Sequence, residues 1–586
     1  MPSYLESIPL DILQHIAYMC VAETPFEPMV TILQLLLCSR TLHHSLSIQS
    51  CPELYARVFR VKYDIAASLR RSRSSLLITS SLAAELRRRC IVLRRIRRCH
   101  LSHEDLLSHL WTIYVMVLES DELNEAQLKT ADISHFITEL VRHRLHQDVA
   151  TSGWPLENQS NAIMIWIACL SLSTEHISQL KIEERNELLS LLRPIAMVSS
   201  KYPSIALYDT YPHTAADATN PDQAMLIKTP SQSYERRGGF LEYSQQFILS
   251  SPSLVSGAVF LTFALKEASV LQVPTHLPIN RAAALAAQRA GPTMEDYAVM
   301  TRSRTPLIAD SFPLKFSNLQ SGDASSNSDA TSQPSRSSVH DEDFYRIAHP
   351  FRPLHLPVLR SYVPGSLTGR WEGTYMVSSL TLLDNATHRP PNFSTLPDFT
   401  SRHAMQCELQ EHLCFPPCVP FPRSGDDFLN MPVQWDQDVH NRLDSQKGTE
   451  FCHARITQNF QYEPYSSNTS VHARRDPLDI IITGEVRLYE IFLLGLQTYP
   501  CSSPCQTTQE FNQAWGAFRF IGRVRLSDGW VVLRREPKHA GDEGLGTWIF
   551  EGHVLYRRAL VGKWRSNRTT DHPGVEGIFS LGKRKD

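Results

Sequence analysis

The feature that most constrains this chain is a change of hydrophobic period partway along it. Up to about residue 315 the apolar residues recur at helical spacing, and from about residue 350 they fall into short β-rich runs. Between the two textures lies a stretch, roughly 317–343, with nine serines from Ser317 to Ser338. Such a segment buries too little apolar surface to offset its ordering entropy, so it reads as a disordered linker over 316–345. The 586 residues leave room for about three to five domains. The reading is multidomain α+β: an all-α N-terminal piece over 1–62, a helical linker domain over 63–315, the Ser-rich segment, and an antiparallel β-barrel over 346–586.

The β runs are Tyr375–Leu383, Ala404–Leu409, Phe451–Ile456, Asp479–Val486, Phe518–Leu526, Trp530–Arg535, Thr547–Leu555, Leu560–Arg565 and Val575–Leu581. Asp528-Gly529 suits a two-residue type I′ turn, which would pair Leu526 with Val531 and Val524 with Leu533. Arg523, Arg525 and Arg534 then share the opposite face. So many antiparallel strands need a sandwich or a closed barrel to hide their edges.

Lys plus Arg is 58 and Asp plus Glu is 60, so the net charge of −2 argues against a polyanion-coating protein. No export signal is expected at MPSYLESIPLD, which carries Glu6 and Asp11 early. Phe247–Leu265 is uncharged but broken by Pro252, and reads as buried helix rather than a span. With 12 cysteines and no dense framework, the chain is expected inside the cell, in cytoplasm or nucleus.

No catalytic motif stands out. There is no phosphate-binding Gly-rich loop and no Gly-x-Ser-x-Gly. His103-Glu104-Asp105 lacks the second zinc-protease histidine, because position 107 is leucine; Ser102 instead reads as the cap of the helix carrying Leu106, Leu110, Trp111 and Tyr114. Cys414-x-x-x-Cys418 and Cys501-x-x-x-Cys505 have zinc-compatible spacing but lie in Pro-rich loops, so ordinary cysteines are preferred. Ten arginines fall between Arg70 and Arg98 with one acid, Glu85. They read first as the solvated face of an amphipathic helix, then as a surface for an acidic partner, and only third as a nucleic-acid site, since no aromatic interleaves for stacking. Lys583-Arg584-Lys585 adds a little to a nuclear import reading.

Residues 5–60 hold three apolar helical pieces: Ile12, Leu13 and Ile16 after Ser7 and Pro9; Ile32, Leu33, Leu36 and Leu37, then Cys38, Ser39 and Leu42; and Pro52-Glu53-Leu54-Tyr55. So short a segment cannot bury them all, which leaves a partner surface. The arrangement resembles the F-box, with Ile8-Pro9 as the Leu-Pro opening, Tyr55 in place of the usual Trp, and a first loop lengthened over 22–29. The resemblance implies docking to a Skp-type adaptor of a cullin–RING ubiquitin ligase through Ile8, Pro9, Ile12, Leu13, Ile16, Leu36, Cys38 and Leu42. It also implies a protein that presents a substrate and performs no chemistry.

Thr368-Gly-Arg-Trp371-Glu-Gly-Thr-Tyr375 resembles the Gly-x-Trp opening strand of calycin, lipocalin-like barrels. In those barrels the Trp closes one end, often packed by an arginine from a late strand, for which Arg565 is the candidate. Certain F-box proteins hold a degron at the mouth of such a barrel. Candidate substrate-binding residues are the aromatics Trp371, Tyr375, Trp515, Trp530 and Trp548. The chain is thus expected to be a non-catalytic substrate receptor of a Skp–cullin–F-box ligase, binding a protein degron, with no cofactor or metal and no membrane partner. Its rivals are a lipocalin-like small-ligand binder tethered by the F-box, and an enzyme with a site assembled from scattered residues.

Overall fold

A computed structural model describes residues 7–71, 78–102, 104–198, 201–202, 237–242, 245–269, 273, 275–288, 293–311, 335–348, 362–378, 401–418, 420, 462–466, 477–486, 518–526, 529–538, 546–566 and 575–584. These sort into two compact units that alternate along the sequence. One comprises residues 1–188, 207–257 and 307–356; the other comprises 189–206, 258–306 and 357–586.

The first unit is mainly helical. It opens with α1 (Leu10–Ala22), α2 (Val30–Cys38), α3 (Arg40–Leu46), α4 (Pro52–Lys62), α5 (Ala66–Arg70) and α6 (Thr79–Arg97). It continues with α7 (Leu106–Leu118), α8 (Leu123–Thr130), α9 (Ile133–Ser152), α10 (Gln159–Ser171) and α11 (Thr174–Gln179). Ser39, Asn158 and Ser173 cap α3, α10 and α11 by accepting from Leu42 N, Asn161 N and His176 N. Each satisfies an amide that a helix start leaves without a partner. The apolar run from Ile163 is buried all round α10, as its pattern requires. Ser102 does not cap α7, whose first turn follows Asp105. Nor does Ser7 cap α1: Pro9 occupies the cap position with extended backbone.

Arg89 overturns the simple solvated-face reading of the arginine cluster. It is fully buried, donating from Nε to Glu85 at 3.0 Å and from Nη2 to Glu119 at 2.8 Å. Its guanidinium lies about 5 Å from the Phe59 and Tyr63 rings. Arg95 is buried too, whereas Arg87, Arg94, Arg97 and Arg98 remain exposed. The cluster's periodicity alone leaves open which arginines turn inward; two acids in the core select Arg89. The end of the Ser-rich segment is also folded. Arg336–His340 forms a 3-10 turn leading into a helix, Asp341–Ala348. Ser337 is buried, and Asp341 accepts from Arg70 Nε at 2.7 Å and Arg71 Nε at 2.9 Å. Residues 312–334 lie outside the described residues.

In chain order the strands are a hairpin, β1 (Arg237–Glu242) and β2 (Gln245–Ser250), followed by β3 (Gly369–Ser378), β4 (Ser401–Cys414), the short β5 (Glu463–Pro464), β6 (Asp479–Val486), β7 (Phe518–Val524), β8 (Trp530–Pro537), β9 (Trp548–Leu555), β10 (Ala559–Ser566) and β11 (Glu576–Lys583). Eight of these form a closed antiparallel barrel in the order β3-β11-β10-β9-β8-β7-β6-β4, with β4 returning to β3. Closure removes the unpaired edges that invite aggregation. Period-2 alternation sends Trp371, Met405, Leu409, Ile480, Ile482, Phe520, Val524, Val531, Leu533, Phe550, Trp564 and Phe579 inward.

Tight coiling of the strands depends on glycine. A β-carbon on Gly373 would stand 2.0 Å from the Ser580 carbonyl oxygen, and one on Gly562 1.9 Å from that of Glu551. The Asp-Gly hairpin is longer than expected. Arg525 N donates to Trp530 O and Gly529 N to Arg525 O, both at 2.8 Å, which closes a four-residue loop. Gly529 has positive φ there (+74°). The register therefore shifts to Val524 opposite Val531 and Gly522 opposite Leu533. A shift of two keeps the same residues facing inward. The expected run Phe451–Ile456 lies outside the described residues.

Candidate functional sites: an exposed helical face and the aromatic pole of the barrel

Each unit presents one site. In the first, α1 and α2 bury Leu13, Ala17, Val21 and Ile32 against Leu42, Leu46 and the start of α4. Tyr55, at the expected Trp position, is buried and donates its hydroxyl to Leu46 O at 2.6 Å. Burial pushes that hydroxyl up to about 12, so it stays a donor. The remaining apolar residues of the two helices face solvent: Leu10, Ile12, Ile16, Met19, Val30, Leu33 and Leu37, the last 75% exposed. Of the residues expected to dock a partner, Pro9, Ile12, Ile16 and Cys38 are exposed, and Ile8 and Leu36 half-buried. Leu13 and Leu42, also expected to dock a partner, are instead buried core residues with no side chain at the surface. Met19, Val30 and Leu33 share the exposed sides of α1 and α2 with Ile12, Ile16 and Leu37, as the same helical period requires once the buried side is known, whereas Leu10 is exposed at the start of α1 on the side of Leu13.

The barrel has unlike poles. At the closed pole Trp371 is fully buried and donates its indole N–H to Leu367 O at 2.7 Å. The approach strand is pinned by Glu411, a buried inward carboxylate. It accepts from the amides of Gly365 (2.7 Å), Leu367 (2.6 Å) and Thr368 (3.1 Å) and from the Tyr362 hydroxyl (2.9 Å). Burial raises its pKa despite these donors. Arg565 does not pack on Trp371. It points outward, exposed, 3.5 Å from Glu551. The cation on the tryptophan is Lys583, whose Nζ lies 5.9 Å from the ring centroid and donates to Gly365 O and Ser366 O at 3.0 and 2.9 Å. Lys583 is thereby engaged in the barrel, which weakens the import-signal reading of the terminal basic run.

The opposite pole gathers aromatics around one buried cation. Arg535 points inward from β8 and is 8% exposed. Its Cζ lies 3.7 Å from the Phe518 ring centroid and 3.9 Å from that of Trp548, rings contributed by the strands on either side. Its polar neighbour is Tyr375, on β3, which favours the charged guanidinium. Desolvation is the main reason its pKa falls to about 10. Its Nε has no hydrogen-bond partner, and no carboxylate pairs with it among the described residues. Trp548 stacks on Trp564 at 4.4 Å and 15°, and Tyr375 stands edge-on to both. His403 stacks on Tyr375 at 5.1 Å; burial, and then Arg535, lower its pKa, which keeps it neutral.

Of the aromatics expected to bind substrate, Tyr375 and Trp548 therefore meet at this pole, half-buried. Trp371 is sealed into the other pole. Trp530 is fully buried on the outer face of β8, under Arg525. Trp515 lies outside the described residues. Reading missed Arg535 and Trp564, although alternation from Leu560 through Gly562 points Trp564 inward. Among the described residues no cluster of metal-ligating side chains forms, and Cys501 and Cys505 lie outside them. Nor, among those residues, is any helix long and apolar enough to cross a membrane. No protein-family model matches the chain, and no curated protein or solved structure does either.

Proposed function

We propose that this chain is the substrate-recognition subunit of a Skp–cullin–F-box type ubiquitin ligase. Residues 10–38 engage a Skp-type adaptor, and the barrel engages a protein substrate. One observation carries the reading: the apolar faces of α1 and α2, on which Ile12, Ile16, Met19, Val30, Leu33 and Leu37 remain solvent-exposed over a separately formed core. Soluble proteins rarely keep this many large apolar side chains of two neighbouring helices uncovered without a partner. The protein performs no chemistry in this reading; it brings the substrate to the ubiquitin-transferring enzyme. The test is co-purification of the full chain with a recombinant Skp-type adaptor. Leu33→Asp with Leu37→Asp should abolish capture without lowering the melting temperature, because both side chains are exposed in the free protein. Capture at wild-type yield by that double variant would end the proposal.

A second reading is favoured by the Arg535 cluster: a lipocalin-like barrel that holds a small anionic ligand, with the helical face as its tether. The two readings part at the barrel's ligand and share the adaptor.

A further inference from the structure

We propose that a groove in the helical unit, walled by α6, the turn leading into α4 and the start of α7, docks a carboxylate-rich segment of a partner protein. An apolar side chain of that segment enters the groove, and its carboxylates meet Arg87, Arg94 and Arg98. The site lies outside both the adaptor face and the barrel.

The groove holds about 550 Å³, and its lining residues all belong to the first unit. That volume is within the range of ordinary binding sites. Ile48 and Pro52 contribute apolar surface from the turn, and Ala83, Ala84 and Ile91 contribute it from α6. Ile91 is 49% exposed in this concavity, so an apolar side chain laid on it removes apolar surface from water.

Helical spacing carries the same face onward. Ala84, Arg87, Ile91, Arg94 and Arg98 are all exposed and fall within about a quarter of the circumference of α6. Among the described residues Arg87, Arg94 and Arg98 form no ion pair, unlike Arg88, which holds Glu85, and Arg89, which holds Glu85 and Glu119. Asp105, the one acid among the lining residues, interacts with Arg95 instead. Exposed arginines are ordinary by themselves; here they border a groove with an apolar wall, which is how acidic segments are recognised.

The arrangement selects the occupant. Arg87 to Arg98 spans ~16 Å of helix, which suits several separate carboxylates rather than one phosphate. No aromatic side chain is among the lining residues, so a nucleic-acid strand would meet the arginines without a platform for its bases. A bilayer surface is broad and cannot follow a concavity closed on its far side by α7.

The experiment uses the full chain as bait for a phage-displayed library of random peptides. Enriched peptides should be rich in acidic residues and carry at least one large apolar residue. One such peptide, labelled with fluorescein, is then titrated by fluorescence anisotropy. Ala84→Trp fills the groove without changing the charge and should weaken binding roughly tenfold, as should Arg87→Glu with Arg94→Glu. All three positions are exposed, so the melting temperature should hold. Arg60→Glu with Lys181→Glu changes the net charge equally at exposed positions outside the groove, and should leave binding unaltered. Leu33→Asp with Leu37→Asp, which tests the adaptor face, should leave it unaltered too. A library that yields no acidic peptides overturns the proposal, as does binding that survives Ala84→Trp or the Arg87 and Arg94 reversals. Equal weakening by the Arg60 and Lys181 reversals would mean unspecific charge attraction and overturns it as well. Displacement of the peptide by the recombinant adaptor would assign the groove to the adaptor interface, which overturns this inference and leaves the ligase reading standing.

Discussion

Lys583 and Trp371 are register partners on adjacent strands, and the lysine ammonium lies 5.9 Å from the centroid of the tryptophan ring. The same ammonium donates to the carbonyls of Gly365 and Ser366. One side chain thus fastens the last strand, the first strand and the approach to the first strand at the closed pole. Trp371→Ala should cost about 3–5 kcal/mol by removing a fully buried ring. Lys583→Met should cost about 1–3 kcal/mol, because two backbone acceptors and a cation–π contact are lost while the aliphatic stem is kept. Thermal unfolding followed by tryptophan fluorescence checks both. A Trp371→Ala chain melting within a degree of wild type would show that the indole does not plug the barrel.

Glu411 makes a sharper prediction about the same pole. Its carboxylate alone accepts three backbone amides and the Tyr362 hydroxyl. Glu411→Ala strands those donors where water has little access, and should cost more than Tyr362→Phe. We expect about 3–5 kcal/mol for the first and about 1 kcal/mol for the second. Glu411→Gln, which keeps one acceptor oxygen, should fall between them. Urea unfolding of the three variants gives the order, and Glu411→Ala ranking mildest would contradict the network.

The barrel was legible because alternation survives in each strand. The run Asp479–Val486 has the same bounds in sequence and structure, and five others agree to within two residues or so. β3 begins at Gly369 rather than Tyr375, because two glycines and a charged pair mask its β character. Lys583 was passed over for Arg565 because the partner of Trp371 depends on register between distant strands, which periodicity does not set. Arg535 was hidden differently. It ends a strand segment in which Arg534 is also present, and alternation alone makes one of the two face inward without showing that its neighbours would be Phe518 and Trp548. On the helical face the period gave the apolar stripe, but Leu13 and Leu42 could be separated from Ile12 and Leu37 only once α3 and α4 were packed beneath it.

Arg89 and Arg94 share a helix and should behave oppositely. Arg89 is buried between Glu85 and Glu119, so Arg89→Met leaves two carboxylates in the core without their shared cation. A loss of about 3–5 kcal/mol is expected. Arg94 is exposed, and Arg94→Met should stay within about 0.5 kcal/mol of wild type. Circular dichroism melts of the two variants make the comparison. Equal and small effects would return the whole arginine cluster to the status of a solvated face.

His412 supplies a prediction about acid. Its ring is buried on β4, 2.9 Å from the Thr483 hydroxyl, and burial pushes its pKa from 6.5 down to about 4. Below pH 6.5 the unfolded chain takes up a proton that the folded chain refuses until about pH 4. The unfolded state therefore binds more protons across this window, and stability must fall as pH falls through it. The neutral ring's contribution is complete above pH 6.5 and is lost progressively down to about pH 4, to a limit of about 3 kcal/mol for this single group. Buried Glu267 and Glu411, whose pKa values are raised, act in the opposite sense, so the slope for the whole protein mixes signs. Subtraction isolates the histidine. Urea midpoints measured at pH 7, 5.5 and 4.5 for wild type and His412→Gln should converge as the solution is acidified, because only wild type carries this penalty. Curves that stay parallel across the three values would mean that His412 titrates alike in the folded and unfolded chain.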